Sequence, residues 1–152
     1  MSQSGVSVAP ECVSKFNELK LGKSIKYIIY KLSDDYKEIV VEDSSSDSDW
    51  ESFQNKLLSA KAPHKGKEGK GPRYAVYDFE WEMESGEGKR KKIVFISWSP
   101  DEGTLVFPRM TYASSKESLK NALTGLGAEV QANRDDEIEY ETILKDISKG
   151  TR

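Results

Sequence analysis

The chain has 152 residues, 36% of them hydrophobic and 32% charged, with a formal net charge of −3 and one cysteine, Cys12. This size and composition indicate one globular domain spanning residues 1–152, and the slightly acidic charge excludes a generic nucleic-acid binder. The lone cysteine excludes an internal disulfide. The sequence also lacks a membrane-spanning apolar run and a secretory signal peptide, so we expect a reducing, intracellular compartment.

The N-terminal segment predicts a short polar start followed by a helix. Residues 1–8 are small and polar, which favours a mobile segment. Pro10 suits the first turn of a helix, and Gly22 is well placed to end it. Cys12 lies beside Phe16 in this pattern, so we expect a small buried side chain rather than a reactive thiol. The apolar side of this helix consists of Val13, Phe16 and Leu19.

A strand pair and a second helix are predicted next. Residues 24–33 form a nearly continuous apolar run, as in a central strand, and residues 36–43 predict the returning strand of a hairpin. A short helix is expected at residues 50–58, with Asp49 as its N-cap. The segment 59–73 carries five Lys or Arg residues against one acid, and it predicts a mobile, solvated basic loop.

The clearest strand pattern covers residues 74–84. Its apolar side chains alternate with acids, which predicts one buried face and one solvated acidic face. Acid–base catalysis by these carboxylates is the weaker interpretation, because alternation on a solvated face explains them. Residues 85–88 then predict a turn, and residues 93–98 predict the returning strand. The apolar set is Tyr77, Phe79, Trp81 and Met83, and the acidic set is Asp78, Glu80, Glu82 and Glu84.

Residues 109–123 predict a long helix with two adjoining sides, one apolar and one basic. At about 100° per residue, the three cations of the basic side fall within about 40° of one another. Because stacked cations repel one another, this stripe favours an acidic partner; a solvated helix edge is the alternative on pattern alone. The apolar side consists of Tyr112, Leu119 and Leu123 with Ala122 at its flank, and the basic side consists of Arg109, Lys116 and Lys120.

The end of the chain predicts a short strand and a last helix. Residues 128–132 are typical of the strand, and a helix at residues 139–149 has acids in its first turn and Lys145 and Lys149 near its end. The complete order is helix, two strands, helix, two strands, helix, strand, helix. This order predicts an α+β domain in which α-helices flank a central mixed β-sheet.

Catalytic and metal chemistry is not indicated by the residue types present. His64 is the only histidine, and neither a catalytic triad nor a histidine-based metal site is expected from it. Cys12 has no second thiol for a metal site, and residues 65–71 are glycine-rich but lack the phosphate-loop pattern. We therefore expect a binding protein that has no catalytic residues, no metal and no cofactor.

Four motifs occur in order along the chain. They are Ser4-Gly5-Val6, YAVYDFEWE at residues 74–82, GKRKKIVFISWSPD at residues 88–101, and the M-x-YASSK string that begins at Met110. Together they resemble the cofilin/actin-depolymerising factor family over residues 4–150. The resemblance implies a single actin-depolymerising-factor homology domain, with a mixed sheet between helices. It also implies a monomeric, non-enzymatic, cytoplasmic protein that binds actin monomers and filaments, severs and depolymerises filaments, and so drives actin turnover.

The resemblance also assigns two actin-contact surfaces. One surface, on the long helix and the N-terminus, would bind both monomers and filaments through Ser4, Gly5, Arg109, Met110, Lys116 and Lys120. The other would contact the neighbouring filament subunit through Arg90, Lys92, Lys145 and Lys149. A solvated hairpin end or a nuclear-import signal is the alternative for residues 88–92, so presence in the nucleus as well as the cytoplasm stays open.

Regulation is a further implication of the resemblance. Family members are often inactivated by phosphorylation of the serine in this context, so Ser4 is the expected site; an unmodified serine is the alternative. Lysines near the actin site suit phosphoinositide headgroups, which we expect to compete with actin. Family members also generally prefer ADP-bound actin subunits.

Several positions depart from the family pattern. The segment 59–73 is longer than the usual link; we expect it to be solvated, with weak filament or lipid affinity as the alternative. Phe107, Asn121 and Asp146 stand where relatives often carry basic side chains, which lowers the expected actin affinity and severing. Because His64 lies in this departing loop, the pH-sensitive activity of some relatives is not expected here. Two other functions stay open: a regulator of the actin branch-nucleating complex, as in glia maturation factors, and a phosphoinositide-responsive adaptor.

Overall fold

Helices cover both faces of a six-stranded sheet in the computed structural model, which describes residues 5–22, 24–83 and 86–148. The arrangement confirms the predicted α+β class, with a mixed sheet between helices. The strands are β1 (Ser7–Val8), β2 (Tyr27–Leu32), β3 (Glu38–Ser45), β4 (Arg73–Glu82), β5 (Lys89–Trp98) and β6 (Ala128–Ala132). The helices are α1 (Pro10–Lys20), α2 (Trp50–Leu58), α3 (Val106–Ala122) and α4 (Tyr140–Ile147), and a 3-10 turn (Asp135–Ile138) precedes α4.

The strand order is β1-β3-β2-β4-β5-β6, with antiparallel pairs at the centre and a parallel pair at each edge. The sequence does not predict β1. Its two residues pair with Glu38 and Ile39 of β3, whereas the polar composition of residues 1–8 predicts a mobile segment. Val6 is also buried, so that prediction is wrong where the segment meets the sheet. A strand this short cannot show an alternating pattern, which explains the difference.

Two hydrophobic clusters, one on each face of the sheet, hold the helices in place. α1 and α3 cover one face, and α2 and α4 cover the other. Successive strand residues belong to opposite clusters, as Ile28 and Ile29 of β2 do, because side chains alternate along a strand. The buried helix residues include Phe16 and Leu19 of α1, Phe53 and Leu57 of α2, Tyr112 and Leu119 of α3, and Ile143 and Ile147 of α4.

β4 departs from its predicted alternation because helices cover both of its faces. Residues 73–79 are all buried, and the exposed acids begin only at Glu80. Asp78, which the pattern places on a solvated face, retains only 6% of its exposure because α1 and α3 pack on that side. The solvated acidic face is therefore limited to the end of the strand, and Glu84 lies outside the described residues.

α2 and β6 have the predicted bounds, residues 50–58 and 128–132. Asp49 occupies the N-cap position of α2 but makes no capping hydrogen bond to the backbone. Its carboxylate instead accepts a hydrogen bond from the Ser52 hydroxyl at 2.8 Å. The predicted N-cap interaction is therefore replaced by a bond between two side chains in the first turn.

α3 begins at Val106, three residues before the predicted start at residue 109. Pro108 does not prevent this, because the first-turn amides of a helix have no partner within the helix. The last helix, predicted at residues 139–149, is α4 and ends at Ile147. The final part of that prediction lies outside the described residues.

Residues 61–70 form a hydrogen-bonded hairpin, whereas the sequence predicts a mobile, solvated loop. The Ala62 amide donates to the Gly69 carbonyl at 3.0 Å, and His64 and Lys67 exchange two backbone bonds of 3.0 Å. Ala62 is buried, so the base of the hairpin packs against the domain. We call residues 61–70 the basic hairpin, because they contain four lysines and one acid.

Candidate functional site

The buried side of α3 fixes this helix on the sheet. Tyr112, Leu119 and Leu123 are buried, as the sequence predicts. Ser115 is also fully buried, although a polar residue gives no apolar signal in the sequence. The opposite sides of α3 are left for contact with other molecules.

Tyr112 joins α3 to two strands of the sheet, β2 and β4. Its hydroxyl accepts a hydrogen bond from the Leu32 amide at 2.9 Å and another from the Arg73 guanidinium at 3.4 Å. Its carbonyl oxygen accepts a hydrogen bond from the Tyr74 hydroxyl. Burial raises the pKa of Tyr112 to about 12, so the hydroxyl stays neutral at physiological pH. These contacts hold the exposed side of α3 in one orientation.

Arg73 is a buried contact residue, although the sequence places it in a basic loop. It retains 5% of its exposure, and its guanidinium donates to Glu42 Oε1 at 2.7 Å. The same group donates to the Lys61 and Pro72 carbonyl oxygens at 2.9 and 2.8 Å, as well as to Tyr112. Arg73 therefore links β3, β4, α3 and the basic hairpin. Glu42 and Tyr112 lie 31 and 39 residues away in the sequence, so no local pattern could reveal these contacts.

Two of the three predicted cations of α3 share one carboxylate of this chain. Lys120 Nζ lies 2.6 Å from Glu129 Oε1, and Lys116 Nζ lies 3.4 Å from Glu129 Oε2. Lys120 also lies 3.4 Å from Glu117. The hydrogen bond from Lys120 lowers the pKa of Glu129, and the same bond raises the pKa of Lys120. Because Glu129 belongs to β6, the pattern of the helix alone gives no sign of this internal acid.

Arg109 and Met110 extend the exposed side of α3 toward its N-terminus. Arg109 is exposed, and Met110 retains 64% of its exposure. Val106 and Phe107, one turn earlier, are also exposed, at 62% and 45%. Arg109 and Met110 therefore face solvent, whereas Lys116 and Lys120 lie half-buried beside Glu129.

The beginning of the described chain lies close to α3. β1 contacts α3, and Val6 is buried in the cluster that α3 covers. Gly5 is exposed and has φ of +76°, a conformation that favours glycine. Gly5 is therefore held near the α3 surface, while Ser4 lies outside the described residues.

The basic residues of β5 alternate between the two faces of the sheet. Lys89 and Lys91 lie on the face of α1 and α3, where their ammonium groups are 3.7 Å from Glu80 and 3.5 Å from Asp78, respectively. Asp78 Oδ1 has no hydrogen-bond partner among the described residues. Lys91 is therefore the cation that offsets this buried carboxylate.

Arg90 and Lys92 lie on the other face of the sheet, beside α4. The Lys92 ammonium donates a hydrogen bond of 2.8 Å to the Ile147 carbonyl oxygen, at the C-terminal end of α4. A cation also complements the helix dipole there. Arg90 and Lys145 are exposed. Three of the four residues expected to contact a second filament subunit are thus on one side of the domain, and Lys149 lies outside the described residues.

Cys12 is buried, as predicted. Its thiol donates a hydrogen bond of 3.3 Å to the Ile39 carbonyl oxygen, and burial raises its pKa to about 12. A thiol with this pKa is protonated at physiological pH and is a poor nucleophile.

Two features are absent from residues 5–22, 24–83 and 86–148. Within these ranges, no three His, Cys, Asp or Glu side chains are grouped to hold a metal ion. No helix in the same ranges is long and apolar enough to cross a membrane.

Known proteins resemble this chain along nearly its whole length. Residues 5–148 match the family described as Cofilin/tropomyosin-type actin-binding protein. The chain is 57% identical to a cofilin of Gibberella zeae over 151 residues, which cover 99% of this chain and 98% of the relative. It is 46% identical to a cofilin of Schizosaccharomyces pombe over 149 residues, which cover 98% and 99%.

Solved structures show the same likeness in the fold. The crystal structure of Streptomyces griseoflavus cofilin matches with a TM-score of 0.83 and 39% identity, over 96% of this chain and 99% of that one. Plasmodium berghei actin depolymerization factor 2 matches with a TM-score of 0.77 and 30% identity, over 97% and 96%. Sequence and architecture therefore agree, and the chain belongs to the cofilin/actin-depolymerising factor family.

Proposed function

We propose that this protein binds actin monomers and filaments, severs and depolymerises filaments, and thereby drives actin turnover. One observation carries the proposal: in a chain of this family, α3 exposes Arg109 and Met110 and keeps Lys116 and Lys120 partly exposed beside them. The family description names actin binding, and one structural relative is an actin depolymerization factor.

α3 would supply both charge and apolar contact to an actin subunit. Lysine and arginine make charge-assisted hydrogen bonds to carboxylates, and Met110 adds a flexible apolar contact. Because Glu129 already holds Lys116 and Lys120, these side chains lose less conformational freedom on binding. Ser4 and Gly5 would add an N-terminal contact beside the helix.

A second surface would engage the neighbouring subunit of a filament. The proposal is supported by the position of Arg90, Lys92 and Lys145, which lie together on the side of the sheet opposite α3; Lys149 is included from the sequence. A ligand that binds a twisted filament more tightly than a relaxed one shifts the filament toward the twisted state. Weaker subunit contacts, severing and faster subunit loss follow from that difference, without any covalent step.

Three regulatory properties belong to the same proposal. Phosphorylation of Ser4 would add about −2 charge units near a surface that must approach acidic groups, and so would weaken binding. Phosphoinositide headgroups would compete with actin for Lys116 and Lys120. ADP-bound actin would be the preferred form of the partner.

The proposed function places a monomeric protein at the cytoplasmic actin cytoskeleton. Nuclear entry through residues 89–92 is a further proposal, supported by their four consecutive cations. Regulation of the branch-nucleating complex and a purely lipid-responsive role are less favoured, because the long helix with its YASSK string matches the cofilins.

Imaging of single ADP-actin filaments by fluorescence microscopy tests the proposal. The purified protein should bind along filaments and break them, and Lys116→Ala/Lys120→Ala should abolish the breaks. A matched control, Lys15→Ala/Lys37→Ala, also removes two lysines but lies outside both proposed surfaces, so it should sever normally.

Intact filaments without bound protein would contradict the proposal. The same preparations should then be tested for binding to the branch-nucleating complex and to phosphoinositide vesicles. Binding without breaks would keep the actin contact but not the severing activity, and would direct attention to Phe107 and Asp146.

A further inference from the structure

The basic hairpin is attached to the N-terminal end of α3, next to the side proposed to bind actin. We propose that Phe107 and the basic hairpin form an additional arm of the actin-contact surface, which takes an acidic segment of the same actin subunit. The proposal rests on the proposed actin binding and adds a second flank to it.

The base of the basic hairpin is fixed by backbone contacts. The Gly71 amide donates to the Ala60 carbonyl at 2.8 Å, and the Lys70 amide donates to the Gly103 carbonyl at 2.8 Å. A Cβ at Gly69 would lie only 2.8 Å from Leu105 Cγ, so the hairpin approaches the segment that leads into α3 closely. These contacts give the hairpin a defined position beside the helix.

Aromatic contacts attach the hairpin to α3 itself. The His64 ring stacks on the Phe107 ring, with 4.4 Å between centroids and 16° between planes. Tyr36, in the turn between β2 and β3, lies 5.2 Å from the same Phe107 ring. Arg73 donates both to the Lys61 carbonyl of the hairpin and to Tyr112 of α3. The hairpin and the helix are therefore held as one unit.

Around the axis of α3, Met110 lies between Phe107 on one side and the cations on the other. At about 100° per residue, Met110 is about 60° from Phe107 and about 100° from Arg109 around the helix. Val106, Phe107 and Met110 form an apolar strip that is between 45% and 64% exposed. Exposed apolar residues that lie together at the edge of charged groups are typical of protein-binding surfaces.

The basic hairpin places cations on the second side of this strip. All four of its lysines are exposed, and Glu68 is its only acid, so its formal charge is +3. The apolar strip thus has Arg109, Lys116 and Lys120 on one flank and the hairpin lysines on the other. A partner that fits this surface would offer an apolar contact with carboxylates on both sides of it.

An actin subunit is the occupant favoured by continuity with the proposed α3 surface. Phe107 and Met110 are three residues apart, which is about 4.5 Å along a helix axis. A protein interface buries about 800 Å² on each partner, so a subunit seated on Met110 must also cover Phe107 and reach the hairpin.

Affinity for ADP-actin monomers, measured by titration of fluorescently labelled actin, tests the arm. Lys65→Asn/Lys67→Gln removes two charges, and asparagine tolerates the positive φ of +50° at position 65. We expect roughly threefold weaker binding at low salt, with a smaller salt dependence. Phe107→Ser should weaken binding by roughly tenfold, as expected for an aromatic anchor. Lys15→Ala/Lys37→Ala is the matched control and should bind normally.

Far-UV circular dichroism and thermal unfolding of each variant establish that it is folded. If the unchanged protein binds actin and both arm variants bind within twofold of it, the arm is refuted while the proposed function stands. If the unchanged protein does not bind actin, the proposed function itself fails. If the lysine variant keeps its actin affinity but loses binding to phosphoinositide vesicles, the hairpin is a lipid contact and the proposal is wrong.

Discussion

Lys120 Nζ on α3 lies 2.6 Å from Glu129 Oε1 on β6, and Lys116 reaches the other oxygen of the same carboxylate at 3.4 Å. One acid therefore orients two of the cations that are proposed to contact actin. An actin carboxylate that approaches these lysines also approaches Glu129, and like charges repel. Glu129 can thus both order the lysines and limit their affinity for an acidic partner.

Replacement of Glu129 by glutamine should strengthen actin binding. The change removes the repulsion of an incoming carboxylate, and we expect about threefold higher affinity at low salt and a smaller gain at high salt. The measurement is titration of labelled ADP-actin at two salt concentrations. Glu51→Gln on α2, on the opposite face, is the control and should have no effect. Weaker binding of the Glu129 variant would mean that orienting the lysines outweighs the repulsion.

The ion pair of Glu129 should also make folding stability depend on pH. Hydrogen bonding to Lys120 lowers the pKa of Glu129 below its ordinary value of 4.5. The pair therefore stabilises the fold above pH 4.5, and this contribution disappears as the pH falls through the lowered pKa. Urea unfolding should show a stability difference between the unchanged protein and Glu129→Gln at neutral pH, and no difference in strong acid. In a Lys116→Ala/Lys120→Ala background, Glu129→Gln should show no such pH dependence.

Arg73→Lys should destabilise the fold despite keeping the charge. A lysine ammonium cannot reproduce the guanidinium contacts with Glu42, Tyr112 and the two carbonyl oxygens. We expect a loss of about 2 kcal/mol in the free energy of unfolding, measured with urea. Arg109→Lys on the exposed side of α3 is the matched control. Equal stability of the two variants would show that the contacts of Arg73 contribute little.

The thiol of Cys12 should be unreactive in the folded protein. Burial raises its pKa to about 12, so the thiolate needed for alkylation is scarce at neutral pH. Labelling with iodoacetamide should be slow under native conditions and fast in denaturant, as followed by mass spectrometry. Since Cys12 is the only cysteine, one site accounts for the whole signal. Labelling of the native protein at the rate of a free thiol would contradict its buried position.

Charge reversal beside α4 should separate filament binding from monomer binding. Arg90→Glu/Lys145→Glu places two acids on the proposed second surface and leaves α3 intact. We expect loss of cosedimentation with filaments, while monomer affinity changes by less than about twofold. Lys89→Glu is the control, because residue 89 is next to Arg90 but lies on the other face of the sheet. Equal loss of monomer binding would mean that the two surfaces are not independent.

Local patterns in the sequence predicted the helices α1 to α4, the strands β2 to β6 and the basic side of α3, but not β1 or the basic hairpin. The bounds of α2 and β6, the buried residues Tyr112 and Leu119, and the shared side of the α3 cations all follow from periodicity within one segment. The family resemblance, carried by four motifs, correctly indicated the fold and the family.

Contacts between distant segments could not be predicted in this way. Asp78 reads as solvated because its strand alternates, yet α1 and α3 cover it. Glu129 pairs with lysines of another element, and Arg73 bonds to Glu42 and Tyr112. The stack of His64 on Phe107 joins the basic hairpin to α3, which begins 36 residues after the hairpin ends. Tertiary packing, rather than local preference, decides each of these positions.

The two proposed actin surfaces are mounted on opposite sides of a single sheet whose faces are both closely packed. Such an interior has low compressibility and transmits strain instead of absorbing it. The distance between α3 and the end of β5 therefore stays the same when the domain binds. A filament whose subunits do not match this distance must change shape to contact both surfaces. The distortion then occurs in the filament rather than in this domain.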